Sequence, residues 1–112
     1  MHPVEIGVWG REPGQGAIRI GDFALLSPGV RISASDEIII GDGVMMANGC
    51  YVTDSDWHTL YDRTRRSLTP TPVVLEKNVW LGDGVTVLKG VTVGENSVVA
   101  ARSVVTRDIP KN

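Results

Sequence analysis

An aliphatic residue opens each six-residue unit along most of this chain: Ile20, Leu26, Ile32, Ile40, Met46, Val52, Leu75, Leu81, Val87, Val93, Val99 and Val105. The last six units run without a break through "LEKNVW", "LGDGVT", "VLKGVT", "VGENSV", "VAARSV" and "VTRDIP". A fixed short period is the signature of a solenoid, whose units pack only on their neighbours. Six residues are too few for a helical repeat but suit one short strand and one tight corner. Three positions after the opening residue stand Gly29, Gly43, Gly49, Asn78, Gly84, Gly90 and Asn96, the residue types that tolerate a left-handed backbone. One position later come the small or β-branched residues Ala24, Val30, Val44, Cys50, Val79, Val85, Val91, Ser97 and Ser103. These alternate with the next aliphatic at the two-residue period of a strand, so both point inward. Three units make a triangular coil of about 18 residues, and successive coils stack their strands in parallel. A sandwich of short strands with Gly-rich turns is the competing fold, and six units in register argue against it.

Two places break the rhythm. Two residues are added between Ile32 and Ile40, around "SASDEII", and a long polar excursion separates Val52 from Leu75. The spacing therefore divides one domain, residues 1–112, into an N-terminal strand and loop (1–17), first coils (18–52), a long loop that is the candidate for chemistry (53–74) and last coils (75–112). A coil end left open exposes strand edges and apolar side chains, which calls for a partner subunit or further chain to cover it.

Composition narrows the function. The net charge is −2, and no basic stripe is present to neutralise phosphates, so nucleic acid is not an expected partner. No apolar run approaches the roughly 20 residues of a membrane helix, so no membrane association is expected. The opening "MHPVEIGVWG" lacks the pattern of a secretory signal, and a cytoplasmic location is expected. The single cysteine, Cys50, falls at an inward position and reads as a small core residue rather than a nucleophile. "GREPGQG" has neither the Lys-Ser/Thr of a phosphate loop nor the dinucleotide spacing.

The excursion "TDSDWHTLYDRTRRSLTPTP" holds His58, one of only two histidines, the other being His2. An imidazole can take a proton from an alcohol, and a carboxylate from Asp54, Asp56 or Asp62 can hold its other ring N–H. A lone loop histidine is also often merely solvated. Trp57 and Tyr61 either stack on a sugar ring or anchor the loop. Arg63, Arg65 and Arg66 either meet an anionic acceptor or keep the loop soluble. Asn48 either bonds an acceptor hydroxyl or shapes a corner.

The hexads, together with "DSDWH…YDR", "NVWLGDG" and a closing "SVVTRDIP", resemble the hexapeptide-repeat acyltransferases, including galactoside and maltose O-acetyltransferases and polysaccharide acetyltransferases. The likeness runs from about Ile18 to the end. It implies an all-β, left-handed parallel β-helix with triangular coils and one long protruding loop. The left hand comes from the resemblance alone, since parallel crossovers are ordinarily right-handed. It further implies a CoA-dependent O-acyltransferase with acetyl-CoA as donor, a sugar-like small-molecule acceptor and a homotrimer. His58 would be the general base, supported by Asp54 and Asp56. Asn48, Trp57, Tyr61 and Arg63 would face the acceptor. Trp80, Lys89, Ala100, Ala101, Arg102, Thr106 and Arg107 would line the CoA groove between subunits, although Trp80 also suits a plain interface, the alanines a tight corner and the cations a solvated surface. Two other readings stand beside this one. A non-catalytic β-helical scaffold needs no histidine chemistry. A zinc hydratase like the γ-class carbonic anhydrases needs three imidazoles, which His2 and His58 supply poorly. No metal is expected.

Overall fold

The computed structural model describes residues 3–9, 16–57 and 70–112. His58, Tyr61, Asp62, Arg63, Arg65 and Arg66 of the excursion, and His2, lie outside the described residues.

Among the described residues every regular element is a strand: β1 (Glu5–Val8), β2 (Ala17–Ile20), β3 (Leu25–Leu26), β4 (Arg31–Ala34), β5 (Glu37–Ile40), β6 (Met45–Met46), β7 (Tyr51–Thr53), β8 (Val73–Leu75), β9 (Trp80–Leu81), β10 (Thr86–Val87), β11 (Thr92–Val93), β12 (Val98–Val99) and β13 (Val104–Val105). Every third strand joins the same sheet. One face is β1-β4-β7-β10-β13, the second β2-β5-β8-β11 and the third β3-β6-β9-β12. All pairings are parallel. The result is a three-walled prism with principal extents of 37 × 25 × 25 Å.

The hexad sets the register. Ile32, Val52, Val87 and Val105 are paired in succession along the first wall. Ile40, Leu75 and Val93 follow one another on the second, and Met46, Leu81 and Val99 on the third. The opening residue of each unit thus stacks on that of the next coil. Together with Val30, Val44, Cys50, Val79, Val85 and Val91 they fill a dry central column. Ile20 is a correction: it pairs with Ile40 but is 41% exposed, because β2 is the end strand of its wall and no described residue stacks over it. Ile6, paired with Ile32, is exposed for the same reason.

All seven Gly and Asn corner residues take positive φ, between 62° and 79°. Phe23 and Arg102, at the same place in their own units, do so as well, with φ of 59° and 63°. Corners close by a hydrogen bond from the small inward residue to the carbonyl three positions back, as in Val30 to Ser27 (3.3 Å) and Cys50 to Ala47 (3.4 Å). This is a tight turn whose third residue needs a left-handed backbone, which Gly and Asn adopt at least cost. On one prism edge the asparagines also join coils: Asn78 Nδ2 donates to Asn96 Oδ1 at 2.9 Å and Asn96 Nδ2 to Asn112 Oδ1 at 3.2 Å.

The excursion is narrower than the hexad spacing suggested. Thr53 still belongs to β7, and Val73 and Val74 already belong to β8, so the chain leaves the prism at Asp54 and is back on it at Val73. The N-terminal strand, β1, pairs with β4 and so belongs to the first wall.

Candidate functional site

The prism has three edges, and the site residues divide among them. The edge between the first and second walls carries Ser35 and Asp36 in one coil and the excursion in the next. Lys89 follows one coil further and Arg107 in the coil after that, since Val87 and Val105 are in register. Thr106 lies beside Arg107, and both are exposed.

The root of the excursion is closely bonded. Asp54 is fully buried, and its carboxylate accepts three backbone N–H groups from the preceding coil. Oδ1 accepts from Ser35 N at 2.7 Å, and Oδ2 accepts from Asp36 N at 2.7 Å and Glu37 N at 2.8 Å. A charge leaves water only where hydrogen bonds replace its hydration, and three amide donors do so here. Asp54, expected as an imidazole partner, thus has both carboxylate oxygens engaged with the wall. Its carbonyl accepts from Thr71 N at 2.9 Å, and Thr71 O accepts from Gly90 N at 3.0 Å, so the outgoing and returning strands meet there.

Asp56, the second expected carboxylate, is exposed and forms an ion pair with Lys89, Oδ2 to Nζ 2.7 Å. A residue expected to support the base and one expected to line the CoA groove thus hold each other. Trp57 has φ of 68°. Its N–H donates to Ser55 Oγ and its indole Nε1 to Thr53 Oγ1, each at 2.9 Å. The ring is folded back on its own strand, which fits the anchoring alternative. Thr53 and Ser55 are both buried in this network. Sequence reading missed Thr53, Ser55 and Thr71, and only the four-residue spacing of Thr53 and Trp57 hints at the contact.

The edge between the third and first walls carries Asn48, Asp83 and the Ala100–Arg102 step one above another. Asp83 Oδ1 accepts from Asn48 N at 3.2 Å, Asn48 O from Gly84 N at 2.9 Å, and Asp83 O from Arg102 N at 2.7 Å. These are backbone contacts of a corner and leave the Asn48 side chain exposed. Ala100, Ala101 and Arg102 are exposed as well. Trp80 lies on the outer face of the third wall, 49% exposed, in register with Met45 below and Val98 above. Within one prism, then, Trp80, Asn48 and Ala100–Arg102 stand on a different side from the excursion, Lys89, Thr106 and Arg107.

Cys50 lies inside the column, its S–H donating to Gly82 O at 3.1 Å. Burial pushes the thiol up from its ordinary value, and the Asp83 charge adds to the shift. The sulfur is kept protonated and out of solvent, so it is no nucleophile. Among the described residues there is no group of three or more His, Cys, Asp or Glu able to hold a metal and no helix long and apolar enough to cross a membrane.

Residues 72–107 match the family model described as "Bacterial transferase hexapeptide (six repeats)". The chain is 35% identical over 100 residues to a Mycobacterium tuberculosis protein named as a probable acetyltransferase, Rv3034c, covering 86% of this chain and 33% of that one. It is 36% identical over 77 residues to galactoside O-acetyltransferase of Escherichia coli K12, covering 67% of this chain and 37% of the relative. Among solved structures it matches the hexapeptide-repeat acetyltransferase VCA0836 of Vibrio cholerae, in complex with acetyl coenzyme A. The TM-score is 0.76 at 32% identity, over 98% of this chain and 62% of that one. The chain spans less than two thirds of the length of each. The fold is the hexapeptide-repeat left-handed β-helix. In repeat, fold and sequence the chain belongs to the hexapeptide-repeat acyltransferase family.

Proposed function

We propose that the protein transfers an acetyl group from acetyl-CoA to a hydroxyl of a sugar-like small molecule, with His58 as general base, in a cytoplasmic homotrimer. The observation that carries this reading is the likeness, over nearly the whole chain, to an acetyltransferase solved with acetyl-CoA. The galactoside O-acetyltransferase relative supports the acceptor class. In the reaction the imidazole takes the acceptor's proton as the oxygen attacks the thioester carbonyl. The C–S bond then breaks, and the leaving sulfur takes up a proton to give free CoA. Direct transfer suits a chain whose cysteine is buried and protonated.

The division of the residues between two sides of the prism supports the trimer. A donor that touches both Trp80 and the Lys89–Arg107 edge needs two copies of the chain. The outer face of the third wall also offers a neighbour an apolar ladder, Leu25, Met45, Trp80 and Val98, 42–66% exposed. In this reading Trp80, Ala100, Ala101, Arg102, Thr106 and Arg107 line the donor groove. Lys89 reaches CoA by exchanging Asp56 for phosphate, and Asn48, Trp57, Tyr61 and Arg63 border the acceptor.

A thiol-release assay with acetyl-CoA over a panel of sugars tests the proposal. His58→Ala is expected to slow CoA release by about 10²- to 10⁴-fold, the range for loss of a general base, with an unchanged melting point and oligomer size. Equal rates in the two proteins overturn the base, and no turnover with any hydroxyl acceptor overturns the transferase.

A further inference from the structure

Both interruptions of the hexad meet at one side chain. The two-residue insertion supplies Ser35 N, Asp36 N and Glu37 N, and the excursion one coil later supplies the Asp54 carboxylate that accepts all three at 2.7–2.8 Å. The partners are 17 to 19 residues apart in the chain, one coil of the prism. Asp54 is also where the excursion closes, because its carbonyl accepts from Thr71 N at 2.9 Å. No other carboxylate among the described residues is fully buried. Asp54 thus ties the start of the excursion, its return and the preceding coil into one body. Lys89, through Asp56, ties the following coil to the same root.

We infer that Asp54 is a positioning residue: by binding the amides of residues 35–37 with its carboxylate and Thr71 with its carbonyl, it sets where the excursion leaves and re-enters the prism, and so where His58 is presented. The inference rests on the proposed role of His58, but the clamp is a physical claim in its own right. Its chemistry is specific. Three converging N–H donors need two acceptor oxygens on one side chain. Asparagine keeps one oxygen and turns an NH2 group toward the other donors, so Asp54→Asn loses bonds without changing size. The two-residue insertion in one coil thus supplies the three amides that hold the root of the excursion in the next.

The experiment compares wild type with Asp54→Asn. In wild type the amides of Ser35, Asp36, Glu37 and Thr71 are expected to exchange with solvent as one cooperative group, sharing a single protection factor. In Asp54→Asn they should exchange at least about tenfold faster while Val85 and Val87 keep their protection. Tryptic cleavage after Arg63, Arg65 and Arg66 should speed up by a similar factor. With acetyl-CoA, kcat should fall by about ten- to a hundredfold while KM for acetyl-CoA stays within about twofold, as expected when a reacting group is misplaced but the donor groove is intact. Unrelated exchange rates in wild type overturn the clamp, a measurement that stands even if the variant does not fold. Unchanged cleavage and kcat in the variant overturn it too, as does a loss of kcat that only follows the loss of folded protein. If wild type turns over no acceptor, the transferase reading fails while exchange and cleavage still decide the clamp.

Discussion

Corner residues are the sites where this fold asks most of single side chains. Asn78 stands at φ of 62°, and its amide donates to Asn96 across the coil gap. Alanine there keeps the left-handed backbone but loses the tolerance that asparagine has for it. Asn78→Ala is expected to lower stability by about 1–2 kcal/mol, the cost of a left-handed L-residue. Phe23 is the opposite case. Its φ is 59°, yet it is 95% exposed, so no burial among the described residues offsets the strain. Phe23→Gly relieves about 1–2 kcal/mol of strain and gives back about 0.5–1 in chain entropy, for a net gain of about 0.5 kcal/mol. Denaturant melts of the two variants check the pair of signs, and a loss at both positions would mean that backbone strain does not govern these corners.

Strands of two to four residues hold together poorly by their own ladder, so each coil depends on how closely its corner approaches the next. Gly82 is where that approach is tightest toward backbone on the third-to-first edge. A β-carbon there would stand 2.8 Å from Ala101 N, and Ala101 is held by the corner above. Gly82→Ala should therefore cost about 1–3 kcal/mol as an overpacked contact that only backbone movement can relieve. A melt with unchanged midpoint would count against rigid coil stacking. The same short range explains what could be read from the chain alone. Stacking repeats one environment, so Val52, Val87 and Val105 announce themselves by spacing, as do Gly43, Gly49 and Gly84. Phe23 and Arg102 were overlooked because their types hide a position that the spacing alone identifies. Asp54 was legible as a carboxylate near His58 but not as a clamp, because its partners are main-chain N–H groups 17 to 19 residues away, which carry no mark of residue type. Trp57 reads in sequence as either a sugar platform or a loop anchor, and its backbone turn and the bond to Thr53 show the ring folded back. Ile20 reads as core because the hexad gives direction, whereas burial depends on whether another coil lies above.

A prism with a dry column and three flat walls presents whole faces to its surroundings, and the three faces differ. The first wall carries polar pairs outside its first coils, with Arg31 3.7 Å from Glu5 and 4.7 Å above the Tyr51 ring, and an exposed Val104 at its last strand. The second wall carries Arg19 against Glu37 at 3.6 Å. Both sets of polar groups already have partners within the chain. The third wall presents Leu25, Met45, Trp80 and Val98 in one line from the first coil to the last, without a charge among them. Exposed apolar ladders of this kind mark contact surfaces, and an aromatic near the middle is the usual energetic centre. If the homotrimer of the proposed function uses this wall, charges on it should break the assembly and leave the prism alone. Trp80→Glu combined with Val98→Lys should shift the protein from trimer to monomer at micromolar concentration. The expected penalty is about 2 kcal/mol or more per interface, the scale of a central aromatic contact. Arg19→Glu on the second wall should leave the size unchanged. Sedimentation of the three proteins decides the matter, with circular dichroism to confirm that each stays folded. A trimer that survives the double substitution would assign the interface to another wall and take Trp80 out of the donor groove.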